Sequence, residues 1–358
     1  MHNLDFEVLC ISWAWEPDVG YMAHIDQIPP VVWDWIRDKR VLKVGHNIKY
    51  DAKALSLHLQ GLQEAQRVDL WPFHDTRHMW GLLDESATEE DRAAGKDYVT
   101  IYPSLKVLAR RAGIPRWTSP EDRFFGEHGA STKAKGAKFM AVWDKLPRIA
   151  LLYPYAAMDA VASWVLHDTL LRELSPAESQ HLEFLMRVER TLITMELNGL
   201  HMDVAAIDHE LATRGMEAAR LTEELQTQAG IANLASGPQA ATYLYDTLGC
   251  PEVVPRTTAG ARPTHKEALA SLLAHPTLPD TARTFLEKLA IIKGHTAVLR
   301  QLNVYSAAIR DDGRIHASFN LSGTRTGRTS SAVNVQNPAR TGPIRSCFTS
   351  RFPEELST

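Results

Sequence analysis

The sequence predicts an α/β first half followed by a mainly helical second half. Three observations carry this. Up to about residue 175, short apolar stretches alternate with helical ones, the pattern of strands and helices layered on one another. From Ala177 onward, apolar residues recur at helical spacing over long runs. Charge also separates the halves: between Arg283 and Arg351, eleven Lys/Arg stand against three acids, a net +8, so the rest of the chain carries −12 of the total −4. A chain of 358 residues, 44% of them hydrophobic, is long enough for two or three domains with their own cores. Cys10, Cys250 and Cys347 are too few for a disulfide framework or a Cys-rich zinc site. No apolar run reaches the ~18–20 residues of a membrane helix, and the start MHNLDFEV has no signal-peptide pattern. The expected setting is the cytoplasm, with no membrane partner.

Val8 to Trp15 reads as a core strand, and Pro29-Pro30 opens a short helix through VVWDWIRDK. A second strand, Val41 to Val44, leads into Gly45-His46-Asn47, with a helix starting near Asp51. A strand around Arg67 to Leu70 precedes a helix over Asp75 to Leu83, and Glu85 to Val99 is polar and reads as a loop. Helices are expected over Leu105 to Ala112, Lys133 to Lys145 and Tyr153 to Leu174, with Ser175-Pro176 ending the first domain. Then come a helix over Ala177 to Leu197 stopped by Asn198-Gly199, one capped by Asp203 and running to Ala229, and one capped by Ser236. Thr264 with Glu267 spells a capping box, and Asp280 opens a long helix through Ile309. Asp312-Gly313 reads as a tight turn between strands.

Two places in the first half can carry chemistry. Asp51 follows a strand directly, where open sheets bind ligands. Tyr155 and Asp159 lie one turn apart on a single helix face. A hydroxyl beside a carboxylate can orient a metal-bound water, and phosphodiester hydrolysis needs divalent ions held by carboxylates. Asp51 can equally be a helix cap, and Asp159 a surface acid. In the second half, a basic block rich in Gly, Ser, Thr, Asn and Gln suits a phosphate backbone. A merely solvated surface is the alternative.

N-x-x-Y-D at Asn47 to Asp51, followed by Y-x-x-x-D at Tyr155 to Asp159, resembles motifs of the proofreading 3′–5′ exonucleases. That resemblance implies a ribonuclease-H-like α/β fold in which Asp51 and Asp159 ligand metal, Tyr155 positions the attacking water and Asn47 supports the terminal nucleotide. The implied cofactor is Mg²⁺ or Mn²⁺, two ions if the site is complete. Asp5-Phe6-Glu7 spells the D-x-E pair that opens such domains. It leaves no room for a turn before the next strand, so an N-terminally shortened domain is the favoured reading.

Met195 to Asp203 resembles the E-x-x-G-x-x-x-D stretch of family A DNA polymerases, and Asn233 to Gln239 resembles their N-x-x-S-x-x-Q helix start. Asp312 to His316, Thr324 to Ser331 and Asn334 to Asn337 are similar to their D-G-R-I-H, T-x-T-G-R-L-S-S and P-N-L-Q-N signatures, with Thr329 in place of leucine. The resemblance implies a fragment of such a polymerase. Its expected parts are an exonuclease domain over 1–175, a helical thumb over 176–311 and an incomplete palm over 312–358. Arg325, Arg328, Ser330, Ser331, Gln336 and Asn337 would contact DNA. Ile344 to Phe352 resembles the segment before the first palm aspartate, so no synthesis is expected from this chain alone. The implied partners are a single-stranded DNA 3′ end and primer–template DNA. A non-enzymatic subunit paired with a separately encoded palm-and-fingers chain is the alternative.

Overall fold

The computed structural model describes residues 8–58, 69–83, 104–114, 148–234, 236–257, 260–321, 328–339 and 342–350. Asp5, Glu7, Arg325, the loop over Glu85 to Val99 and the helix expected over Lys133 to Lys145 lie outside them. The chain divides into two compact units, Met1–Leu197 with Ser318–Ser330, and Asn198–Ala317 with Ser331–Thr358.

In the first unit, β1 (Cys10–Ala14) pairs antiparallel with β2 (Gly20–His24), Cys10 opposite His24 and Ala14 opposite Gly20. The expected strand at Val8 to Trp15 is thus one arm of a hairpin. α1 (Pro30–Arg37) begins with proline in its first turn, where a missing N–H is no loss. β3 (Lys43–Gly45) runs parallel to β4 (Phe73–Asp75). The strand expected at Arg67 to Leu70 lies further along, because β4 buries His74 and Asp75, polar residues that an apolar count passes over. α2 (Ile48–His58) starts three residues before the expected Asp51. It is followed by α3 (Thr76–Leu83), α4 (Leu105–Arg111), α5 (Arg148–Glu173) and α6 (Pro176–Asn198). α6 opens on a reciprocal capping box: Ser175 N donates to Glu178 Oε2 at 2.7 Å, and Glu178 N donates to Ser175 Oγ at 3.3 Å. Ile48, Phe73, Met79, Leu166 and Met186 form the centre of this unit's core.

In the second unit, β5 (Leu200–His201) pairs antiparallel with β6 (Arg314–Ile315). Asp203 caps α7 (Val204–Ala229), accepting from Ala206 N at 2.9 Å, and the helix ends on a left-handed Gly230. α8 (Gly237–Ala241) continues into a π-helical turn over Thr242–Thr247. α9 (Lys266–Leu273) enters from His265 without a side-chain cap, so the Thr264–Glu267 capping box does not form. Its register is one residue off, and the Thr264 carbonyl instead accepts from Lys293 at 2.8 Å. α10 (Asp280–Ser306) stops short of Ile309, which bridges antiparallel to Ile315 around the Asp312-Gly313 turn. Leu225, Leu244, Phe285, Leu286 and Leu289 are buried together as this unit's core. In the returning segment of the first unit, β7 (Phe319–Asn320) lies paired with β8 (Ser330–Ser331).

These elements correct the expected fold class. Among the described residues the strands form four separate two-stranded sheets, and no single central sheet of a ribonuclease-H-like α/β domain is present. Ladders of two to five residues are too short to build a layer that helices could cover on both faces. Helices dominate the structure. Among the described residues, no helix is long and apolar enough to cross a membrane.

Candidate functional site

The first-half site is organised by Asp75, a residue that sequence reading placed only at a helix start. Its buried carboxylate accepts from Asn47 N at 2.9 Å, Ile48 N at 3.0 Å and Arg77 N at 2.9 Å. It therefore caps α2 from a different strand, a contact absent from any local pattern. Asn47 occupies the left-handed region at φ 64°, which asparagine tolerates better than most residues, and its Oδ1 accepts from Arg77 at 3.3 Å.

Asp51 lies in the first turn of α2. Its rim reaches solvent, although protein atoms crowd it elsewhere. That crowding first, then the charges of Asp75 and Asp159, push its carboxyl up to about 7. With the rim wet, repulsion from the two neighbouring carboxylates is the part that does not depend on desolvation. Asp51 and Asp159 are therefore within electrostatic reach of each other. Tyr155 shares the α5 face with Asp159, and the Lys106 ammonium sits 4.7 Å from its ring centroid.

Asp75's carboxylate is committed to backbone N–H groups, and among the described residues no group of three or more His, Cys, Asp or Glu is arranged to hold a metal ion. No hydrolytic step through metal follows from this site. What the arrangement supplies is a carboxyl that can carry a proton near neutral pH.

A second constellation in this unit went unnoticed in the sequence. Lys49 and Glu196 are both buried and lie 2.6 Å apart. Lys53 reaches the other oxygen of Glu196 at 2.6 Å. Glu189 lies 3.5 Å from Lys49 and 3.9 Å from His78. Burial alone would raise the Glu189 carboxyl, but His78 and Lys49 together hold it below the ordinary value. A nearby polar pair, His74 and His167, shares a hydrogen bond of 3.0 Å, and His74 also contacts Glu183 at 3.0 Å. Glu196 belongs to one recognised motif and Lys49 falls at an unspecified position of another, but the two are far apart in sequence.

The DNA-facing candidates fall in two places, one in each unit. Arg328 is exposed and Ser330 half-buried at the end of the first unit's returning segment. In the second unit, Ser331 is half-buried, while Gln336 and Asn337 are exposed on a turn. That turn is anchored from α10. Gln301 donates to Tyr305 Oη at 2.7 Å, Tyr305 donates to the Asn334 carbonyl at 2.7 Å, and Asn337 N donates to Asn334 Oδ1 at 3.3 Å. Arg314 is held by a 2.6 Å bond to the Asn198 carbonyl and His316 by Asp312 at 3.0 Å.

The family profile described as DNA polymerase family A matches residues 205–356. That region is similar to family A DNA polymerases. The thermostable DNA polymerase I of Thermus caldophilus is 35% identical over 201 residues, covering 52% of this chain and 22% of that protein. The DNA polymerase I of Mycobacterium bovis is 33% identical over 181 residues, covering 49% of this chain and 19% of that protein. The chain thus spans about a fifth of the length of these relatives. A solved structure described as the POL domain of Pol1 from M. smegmatis, complexed with DNA primer-template and dNTP, has a TM-score of 0.60 at 22% identity. It covers 92% of this chain and 50% of that one.

This match overturns the expectation of an exonuclease-plus-thumb piece ending before the palm. The likeness runs over nearly the whole chain and is to a polymerase domain, with mostly helical architecture in place of a discrete ribonuclease-H-like domain. Two functional readings fall with it: a proofreading hydrolase, and an inactive subunit awaiting a separate palm-and-fingers chain.

Proposed function

We propose that this chain grips primer–template DNA as part of a polymerase domain of the family A kind, serving template-directed DNA synthesis. One observation carries the reading: the family match over 205–356 falls on the stretch where eleven cationic side chains face three acids between Arg283 and Arg351. Phosphate contact needs that excess of cations, and short polar groups let the backbone come close. Exposed Arg328 offers a planar fork to a phosphate, with Arg325 beside it in sequence. Ser330 and Ser331 add hydroxyl donors, and exposed Gln336 and Asn337 can reach sugar or base edges. Asn47, Asp51, Tyr155 and Asp159 carry no role in this reading. Mg²⁺ or Mn²⁺ is the metal that polymerase chemistry calls for; no residue is assigned to it. A cytoplasmic location goes with the same reading.

Binding of a fluorescent primer–template duplex, titrated at several salt concentrations, tests this. The logarithm of affinity should fall linearly with the logarithm of salt. Arg328→Ala should weaken binding uniformly across sequences and reduce the slope by about 1. Salt-independent binding, or an Arg328→Ala variant indistinguishable from the parent, would sink the reading. Primer extension with dNTPs and Mg²⁺ reads the synthesis step directly.

A further inference from the structure

The buried ionic cluster grips a peptide unit. Lys49 Nζ donates to the Phe319 carbonyl at 2.6 Å, and Phe319 N donates to Glu196 Oε1 at 2.8 Å. The same two side chains are joined to each other at 2.6 Å. Both backbone groups of one residue are therefore held by one ion pair, with Lys53 on the remaining Glu196 oxygen at 2.6 Å. The side chains of Lys49 and Glu196 are 8% and 2% exposed, so water does not compete for these bonds.

Phe319 opens β7, whose ladder with β8 is two residues long. So short a ladder specifies its register weakly, and a one-residue slip would exchange the faces of every side chain on it. Phe319 is buried and Asn320 only half-buried, so a slip would expose the phenyl ring. β8 begins two residues after Arg328, and Ser330 is its first residue. The segment that carries Arg328 and Ser330 is thus paired with the strand that Phe319 opens.

We propose that Lys49 and Glu196 are positioning residues that clamp the Phe319 peptide unit and so hold the β7–β8 register in which Arg328 and Ser330 meet the DNA backbone. The pair touches no DNA itself. Energy alone does not account for it, because a buried ion pair is often no more stabilising than apolar residues of similar volume. Its two-sided grip on one backbone unit is what an apolar substitute would lack. This inference rests on the DNA-binding reading for its consequence, but not for the clamp itself.

The test uses the full chain and two readings. In Glu196→Gln, amide hydrogen exchange over residues 318–331 should quicken about tenfold, the loss of one charged hydrogen bond, while α7 and α10 keep their protection. Primer–template affinity should fall about tenfold with a salt slope lower by about 1. The effects of Glu196→Gln and Arg328→Ala should combine to less than their sum in the double variant, because the clamp acts in part through that arginine. Lys53→Met, which leaves the grip on Phe319 intact, should change neither reading. If Glu196→Gln does not fold, Lys49→Met is read the same way. Unchanged exchange over 318–331, or additive effects of Glu196→Gln and Arg328→Ala, would overturn the proposal. A parent chain that binds no duplex would remove the DNA reading, while the exchange data would still judge the clamp.

Discussion

At the scale of single residues, two side chains of the first unit have their protonation pushed in opposite directions. Asp51 has its carboxyl raised to about 7 by crowding and by Asp75 and Asp159, against ~3.9 for a free aspartate. The folded chain therefore holds this proton more tightly than the unfolded one. Its contribution to stability is present at low pH and is lost as pH rises from about 4 through about 7. Asp51→Asn removes that loss. The variant's melting temperature should exceed the parent's at pH 8, with the two converging toward pH 4. A variant less stable than the parent at pH 8 would contradict the like-charge account. His167 runs the other way: burial, then the charge of His74, push it down to about 4. Its contribution is present above about 6.5 and fades as pH falls through about 4.

At the scale of elements, most local signals whose partners are sequence neighbours were legible, the Thr264–Glu267 capping box being the exception. The helix start at Ser175-Pro176, the Asp203 cap and the Asp312-Gly313 turn all form as their spelling suggests. The start of α2 was misplaced because its cap, Asp75, comes from β4. The hairpin of β1 and β2 depends on a similar long-range fit. A Cβ on Gly20 would lie 2.4 Å from the Ala157 carbonyl oxygen on α5, so the missing side chain lets the strand lie against that helix. Gly20→Ala should destabilise the protein by about 1–3 kcal/mol, the range for overpacking a filled contact, read as a lower urea midpoint at unchanged slope. An unaltered midpoint would mean that the hairpin and α5 separate at little cost.

At the scale of the whole molecule, each unit has its own buried cluster, one centred on Phe73 and Met79, the other on Phe285 and Leu286. Leu286 is fully buried, so Leu286→Ala should cost about 2–5 kcal/mol through lost burial and a cavity. Faster hydrogen exchange should appear across 204–306 and leave Ile48 to Leu197 unchanged. Equal acceleration in both stretches would show that the cores open as one.

The sequence by itself determined the long helices of the second half, the charge contrast between Arg283–Arg351 and the remainder, and the family A polymerase likeness now matched over 205–356. Those properties reside in residue spacing and composition, which survive without coordinates. Only the tertiary structure decided that the short strands stay in separate pairs, that Asp75 caps α2, and that Glu196 closes on Lys49 and Phe319. Each is a contact between distant parts of the chain. Local motifs describe neighbours, whereas the hydrogen-bonding needs of a buried strand, helix end or charge are met by whatever the fold brings near.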